Sequence, residues 1–145
     1  MDLTSLGERL VQGMPEALVV ADAEGLIRFW NAGAERIFGF TRDEALGQSL
    51  DIITPERLRA RHWTGFRRTM ETGETKYGAG DLLSVPAVRK DGARISIQFS
   101  ILPIAGPDGR LQGIAAIMRD ITGDFETRKA LQRELDAYRR TAQDA

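Results

Sequence analysis

One imidazole, His62, stands in a chain of 145 residues that has no cysteine. Histidine can ligate a metal, carry a proton near neutral pH, or sit with both ring nitrogens hydrogen-bonded. Its surroundings, PERLRARHWTGFRRTMETG from Pro55 to Gly73, space Leu58, His62 and Phe66 at i, i+4 and i+8. On a helix these three share one apolar stripe, so the imidazole points at the interior. Other chemistries lack parts. Without cysteine there is no thiolate nucleophile, no cysteine-ligated zinc and no cysteinyl photoadduct. The chain carries no nucleophile elbow, glycine-rich phosphate loop or paired-histidine metal spacing. Its acids fall mostly in polar, helix-surface contexts, and the expectation is that it is not an enzyme.

Length and charge narrow the field further. At this size the chain reads as one domain able to bury a core. Twenty basic residues against 21 acidic ones leave a net charge of -1, so the basic excess of a nucleic-acid binder is missing. The opening residues, MDLTSLGERLVQGM, lack the pattern of a signal peptide, and no apolar run approaches the ~18 residues of a membrane span. A cytoplasmic protein away from the membrane is expected.

The elements that must position His62 can be read on either side of it. Thr54-Pro55 predicts the start of its helix, an N-cap followed by proline at the first helical position, and Gly73 supplies the left-handed exit. Upstream, Leu3, Leu6, Leu10 and Met14 share one face of a short helix over residues 1–14. Ala17 to Ala21 and Leu26 to Trp30 form a hairpin through Asp22-Ala23-Glu24-Gly25, the glycine taking the positive φ. Asn31 caps AGAERIFGF, and Thr41 leads TRDEALG. Downstream, Asp81 to Val88 is strand-like, with Pro86 arguing for an edge or a bulge. Lys90-Asp91-Gly92 is a turn. From Arg94 to Ile101 the pattern alternates, with Ile95, Ile97, Phe99 and Ile101 on one face. Pro103 to Gly109 is dense in turn residues, and Leu111 to Met118 is a further strand. From Asp124 to Gln143 the chain returns to helix. There Leu131, Leu135, Tyr138 and Ala142 step by 4, 3 and 4, as a heptad seam would, and pack on a partner helix or on their own domain.

Four pieces, taken in order, carry a resemblance. They are the DAEG turn, the FWN at Phe29 to Asn31 opening NAGAERIFGFTRDEALG, the RKDG at Arg89 to Gly92 before an alternating strand, and the DIT at Asp120 to Thr122. Over Pro15 to Thr122 the chain resembles the PAS sensor domains. The resemblance implies an α+β PAS fold, a five-stranded antiparallel sheet with helices on one face, over residues 15–122. An N-terminal amphipathic helix (1–14) and a C-terminal signalling or coiled-coil helix (123–145) flank it. It also implies a pocket that takes haem, flavin, another small molecule or nothing, with the signal leaving through the helix after DIT.

Around His62 the chain is similar to the haem-binding PAS oxygen sensors of the FixL type, whose proximal histidine lies on this helix in a similar RxxH context. That similarity implies b-type haem with His62 as ligand to the iron and Leu58 and Phe66 beside it. It places Arg68 on a propionate and makes Ile97, Phe99, Ile101 and Ile117 the pocket wall. The arginine that holds dioxygen in those sensors falls on Leu82, counting from His62, or on Leu83, counting back from RKDG. Without that donor, bound dioxygen loses a charge-assisted hydrogen bond of about 1.5 to 3 kcal/mol, so CO, NO or redox state becomes the expected signal. The residues themselves leave the bland alternatives open: a satisfied core histidine, a solvated Arg68, ordinary sheet core, and Trp30 and Trp63 as packing. Flavin would have to bind non-covalently. Two functions follow: a gas or redox sensor signalling to a histidine kinase or regulator, or a ligand-free interaction module. In both, the terminal helices are expected to make a homodimer.

Overall fold

The computed structural model describes residues 1–75 and 82–144, and in it the two hydrophobic periods of the sequence separate into a sheet and the helices laid across one of its faces. The strands are β1 (Ala17–Asp22), β2 (Ile27–Trp30), β3 (Leu83–Val88), β4 (Arg94–Ala105) and β5 (Leu111–Asp120). All neighbours are antiparallel, in the order β2-β1-β5-β4-β3. The first and last strands therefore meet at the centre, in register from Ala17 opposite Met118 to Asp22 opposite Gly113. Pro86 lies on edge strand β3, where its missing N–H is tolerated.

On the inner face lie α2 (Ala32–Phe38), α3 (Arg42–Ala45), two 3-10 turns (Leu50–Ile53 and Glu56–Leu58) and α4 (Arg59–Thr72). Trp30, Phe38, Ile27 and Val19 are fully buried there and join Ala34, Ala45, Ile53, Ile97 and Met118 in one contiguous core. Two helices stand outside it. α1 (Leu3–Gly13) and α5 (Thr122–Asp144) bury none of their residues.

Local polar chemistry fixes how α2 sits on the sheet. Asn31 caps it through Oδ1, which accepts from the N–H of Ala34 at 2.9 Å. At its C-terminal end the RKDG turn closes it: Arg89 Nη1 donates to the carbonyl oxygens of Ile37 (2.5 Å) and Arg36 (3.2 Å), and the N–H of Lys90 donates to Phe38 O (2.8 Å). Lys90 also ion-pairs with Glu44 of α3. A turn motif read for its glycine is thus also a cap for a distant helix.

Three boundaries differ from the sequence reading. Thr54 does not cap the helix carrying His62. Its hydroxyl donates to Leu50 O (2.9 Å), closing the preceding 3-10 turn, and Pro55 keeps an extended ψ of 138° that no first helical residue can have. α4 accordingly begins at Arg59, after a 3-10 turn and with no side-chain cap. β4 runs on to Ala105, with Pro103 paired opposite Ile114, because the actual turn is closed later, by Gly106 with Arg110 and by Gly109 at φ 81°. α5 starts at Thr122, two residues before the charged run that suggested it.

Candidate functional site

α4 presents its aromatic residues as a cluster of their own. His62 meets Trp63 edge-on (centroids 4.8 Å apart, 69° between planes) and Phe66 tilted (6.1 Å, 43°), while Trp63 and Phe66 are 5.3 Å apart. Phe66 is buried but lies outside the contiguous core, so α4 packs through this trio rather than through the central sheet core. Leu58, in the 3-10 turn ahead of α4, is half-buried, as is His62.

Trp63 is committed to the fold. Its indole N–H donates to Asp51 Oδ1 at 2.7 Å, and its six-membered ring covers Gly25, where a Cβ would come within 2.2 Å of it. Trp30 is equally committed, fully buried with Nε1 donating to Phe40 O at 3.0 Å. Both indoles thus spend their N–H groups on the fold. Sequence reasoning missed Asp51 and its bond to Trp63; the glycine of the DAEG turn was the available signal that something large approaches there.

His62 is different. Its Nδ1 is buried and has no hydrogen-bond partner, and neither ring nitrogen bonds to a described group. Such an atom forfeits roughly 1–3 kcal/mol and calls for a reason. Burial pushes the imidazole pKa below its usual 6.5, with the negative charge of Asp51 opposing the shift. The ring is held neutral, the form that can ligate a metal.

On the facing side, Ile97 is buried, and Phe99, Ile101 and Leu83 are half-buried, with Leu83 paired opposite Phe99. Alternation puts all four on the inner face with Ala17 and Val19. Ile117 is not among them. It pairs with Ser100 and Leu18 on the outer face and is 43% exposed, while Met118 and Ala116 take the inner positions opposite Phe99 and Ile101. Small residues on both sides of GIAAI hide the phase of that strand in the sequence. Leu82 is 62% exposed ahead of β3, so of the two leucines only Leu83 faces inward. Arg68 is exposed, and its guanidinium pairs with no described residue. Two surface clefts lie elsewhere, about 230 Å³ among Pro15, Glu16, Ile37, Arg119 and Asp120, and about 360 Å³ between α1 and Phe29. Among the described residues no cluster of three or more His, Asp or Glu is placed to hold a metal ion.

With the sheet order, the capped α2 and the junction at Asp120 in place, a sequence profile of the PAS fold is found to match residues 11–124. The chain belongs to the PAS fold family. This PAS domain is 30% identical over 129 residues to the sensor protein FixL of Bradyrhizobium diazoefficiens, a match covering 85% of this chain and 24% of that one. It is 26% identical over 108 residues to the oxygen sensor protein DosP of Escherichia coli K12, covering 74% of this chain and 13% of that one. A PAS domain from Colwellia psychrerythraea shares the fold at a TM-score of 0.73 and 24% identity, covering 84% of this chain and 99% of that one. The chain thus spans a quarter or less of the length of these two sensor proteins. PAS domains are sensory modules of signal transduction and in general not catalytic. Among the described residues no helix is long and apolar enough to cross a membrane.

Proposed function

We propose that this PAS domain binds b-type haem through His62 and relays a change at the iron through α5. The observation that carries this is the buried, partnerless Nδ1 on a neutral imidazole, set in an aromatic cluster outside the contiguous core. Similarity to proteins named as a sensor and as an oxygen sensor supports it. His62 would ligate the iron, with Leu58 and Phe66 beside it, Leu83, Ile97, Phe99 and Ile101 as the apolar wall, and Arg68 free to reach a propionate. Haem supplies an iron that binds a diatomic gas or changes oxidation state. Leu83 offers no hydrogen-bond donor, which takes about one to two powers of ten from dioxygen affinity and favours CO, NO or redox state.

The route outward is short. Ile97 of the inner wall pairs with Asp120, and its neighbour Ser96 donates its N–H to Thr122 Oγ1 (3.0 Å) and accepts from the N–H of Ile121 (2.9 Å). Displacing β4 therefore moves the first turn of α5. Two ligand states signal only as far as they differ in free energy between the two arrangements. A histidine kinase or regulator is the expected receiver.

Haem titration followed by absorption tests the proposal: a Soret band that appears with wild type and is lost in His62→Ala is expected, and no band at any loading overturns it. The second reading, a ligand-free interaction module, is favoured by one observation, that neither α1 nor α5 has a fully buried residue.

A further inference from the structure

The side of α4 away from His62 carries cations that no described residue neutralises. Arg57, Arg61, Arg67 and Arg68 are exposed, and none of their guanidinium groups has an ion pair or hydrogen bond to a described group. Three exposed cations elsewhere are paired, Arg28 with Asp22, Lys90 with Glu44 and Arg119 with Glu16, while others such as Arg94, Arg110 and Arg133 are solvated, so it is the density of arginine on α4 that stands out. From Arg57 to Met70 the sequence holds five arginines (57, 59, 61, 67 and 68) and no acid, in a chain of net charge -1. Glu71 stands at i+4 from Arg67 and i+3 from Arg68, yet pairs with neither.

The arrangement is a line. Arg61 and Arg68 are seven residues apart, about 20° around the helix axis. Arg57 leads into the same line from the 3-10 turn, so the three span about 16 Å. Between them, on the same side, sits Gly65, whose missing Cβ would meet nothing within 4 Å. Like charges at i, i+4 and an exposed mid-helix glycine both destabilise a helix. This face is poorly built for α4 alone and well built for close approach by something negative.

We infer that the Arg57–Arg61–Arg68 line docks an acidic α-helix of a partner protein. Guanidinium forks pair with carboxylates in bidentate fashion. A helix laid along α4 can bring glutamates from successive turns against all three arginines, and the notch at Gly65 lets its backbone close to packing distance. Arg61 and Arg68 lie about 100–120° around the helix axis from His62, and because Arg68 is also assigned to a propionate the titration is run on haem-free protein, which keeps the two readings separable.

An acetylated, amidated alanine-based helical peptide with glutamates at i, i+4, i+7 and i+11 is the probe, titrated into ¹⁵N-labelled protein, with a glutamine version and a single-stranded RNA of equal net charge in parallel. Expected are amide shifts confined to residues 57–72, affinity that falls with added salt, and no binding of the glutamine peptide. The double variant Arg61→Glu/Arg68→Glu should bind about tenfold more weakly, while Arg61→Lys/Arg68→Lys keeps part of the affinity. Circular dichroism checks that these surface variants fold. Shifts mapping elsewhere, undiminished binding by the Glu variant, or tighter binding of the RNA would each overturn the inference, the last pointing to a nucleic-acid surface instead.

Discussion

Asn31 uses every polar atom it has while showing nothing to solvent. Oδ1 accepts from the N–H of Leu18 (2.8 Å) and of Ala34, and Nδ2 donates to Val11 O (2.7 Å) and Glu16 O (3.1 Å). One side chain joins α1, β1 and the start of α2. Asn31→Ala strips a cap and leaves buried backbone groups unpaired, so a loss of about 3 kcal/mol is expected in urea unfolding. His62 gives a second test at this scale. Burial holds its folded pKa below the 6.5 of the unfolded chain, so the unfolded state takes up the proton first as pH falls. Its contribution is therefore intact above about pH 6.5 and is lost progressively below it. The urea midpoint of wild type should fall between about pH 7 and 5.5 by more than that of His62→Phe; parallel curves would show that the imidazole is not held neutral. The inward aim of His62 was legible from its spacing with Leu58 and Phe66. The isolation of Nδ1 was not, because it depends on which distant groups fail to reach it.

Elements show where spacing rules succeed and where neighbours override them. The hairpin turn at Gly25, the Asn31 cap and the edge position of Pro86 follow from single residues whose backbone demands are strict, and each was readable in advance. The start of α4 and the phase of β5 were not. Thr54 turns its hydroxyl back to Leu50 O while Pro55 stays extended, and Gly113, Ala115 and Ala116 put small residues on both faces of β5. Gly25 carries more than its turn, since its φ of 82° comes with the Trp63 ring directly above it. Gly25→Ala should destabilise by more than about 1 kcal/mol from backbone strain, with a further steric part. Adding Trp63→Leu should remove only the steric part, giving a non-additive double-mutant cycle; simple additivity would mean the ring does not bear on the turn. The pairing of α3 with the RKDG turn titrates. The hydrogen bond from Lys90, followed by the N–H of Thr41, holds the Glu44 carboxyl at about 2 rather than 4.5. A folded pKa below the unfolded one means stability present above pH 4.5 and lost as pH falls towards 2. Wild type should exceed Glu44→Gln in stability at neutral pH, with the gap closing across that window.

At the scale of the molecule, the two helices with no fully buried residue spring from adjacent strands. Ala17 and Met118 are paired at one end of the sheet centre, and Arg119 bridges to Glu16 there at 2.9 Å, so α1 leads into β1 beside the point where β5 runs out into α5. Each helix carries an apolar stripe without a cover: Leu3 and Leu10 on α1, and Leu131, Leu135 and Tyr138 on α5. At 23 residues α5 is about 34 Å long, and its seam covers less than two heptads, short for a free-standing coiled coil. A two-fold dimer that buries both helices at once removes that shortfall, since an isologous contact uses each stripe twice. The chain is therefore predicted to dimerise at concentrations on the order of tens of micromolar, with mass read by sedimentation equilibrium. Deleting residues 1–14, or making Leu131→Lys with Leu135→Lys, should each yield monomers, because neither helix suffices alone. If only the α5 variant dissociates, the interface is a coiled coil and α1 is a bystander; if wild type is monomeric in that range, the exposed stripes do not pair copies of this chain.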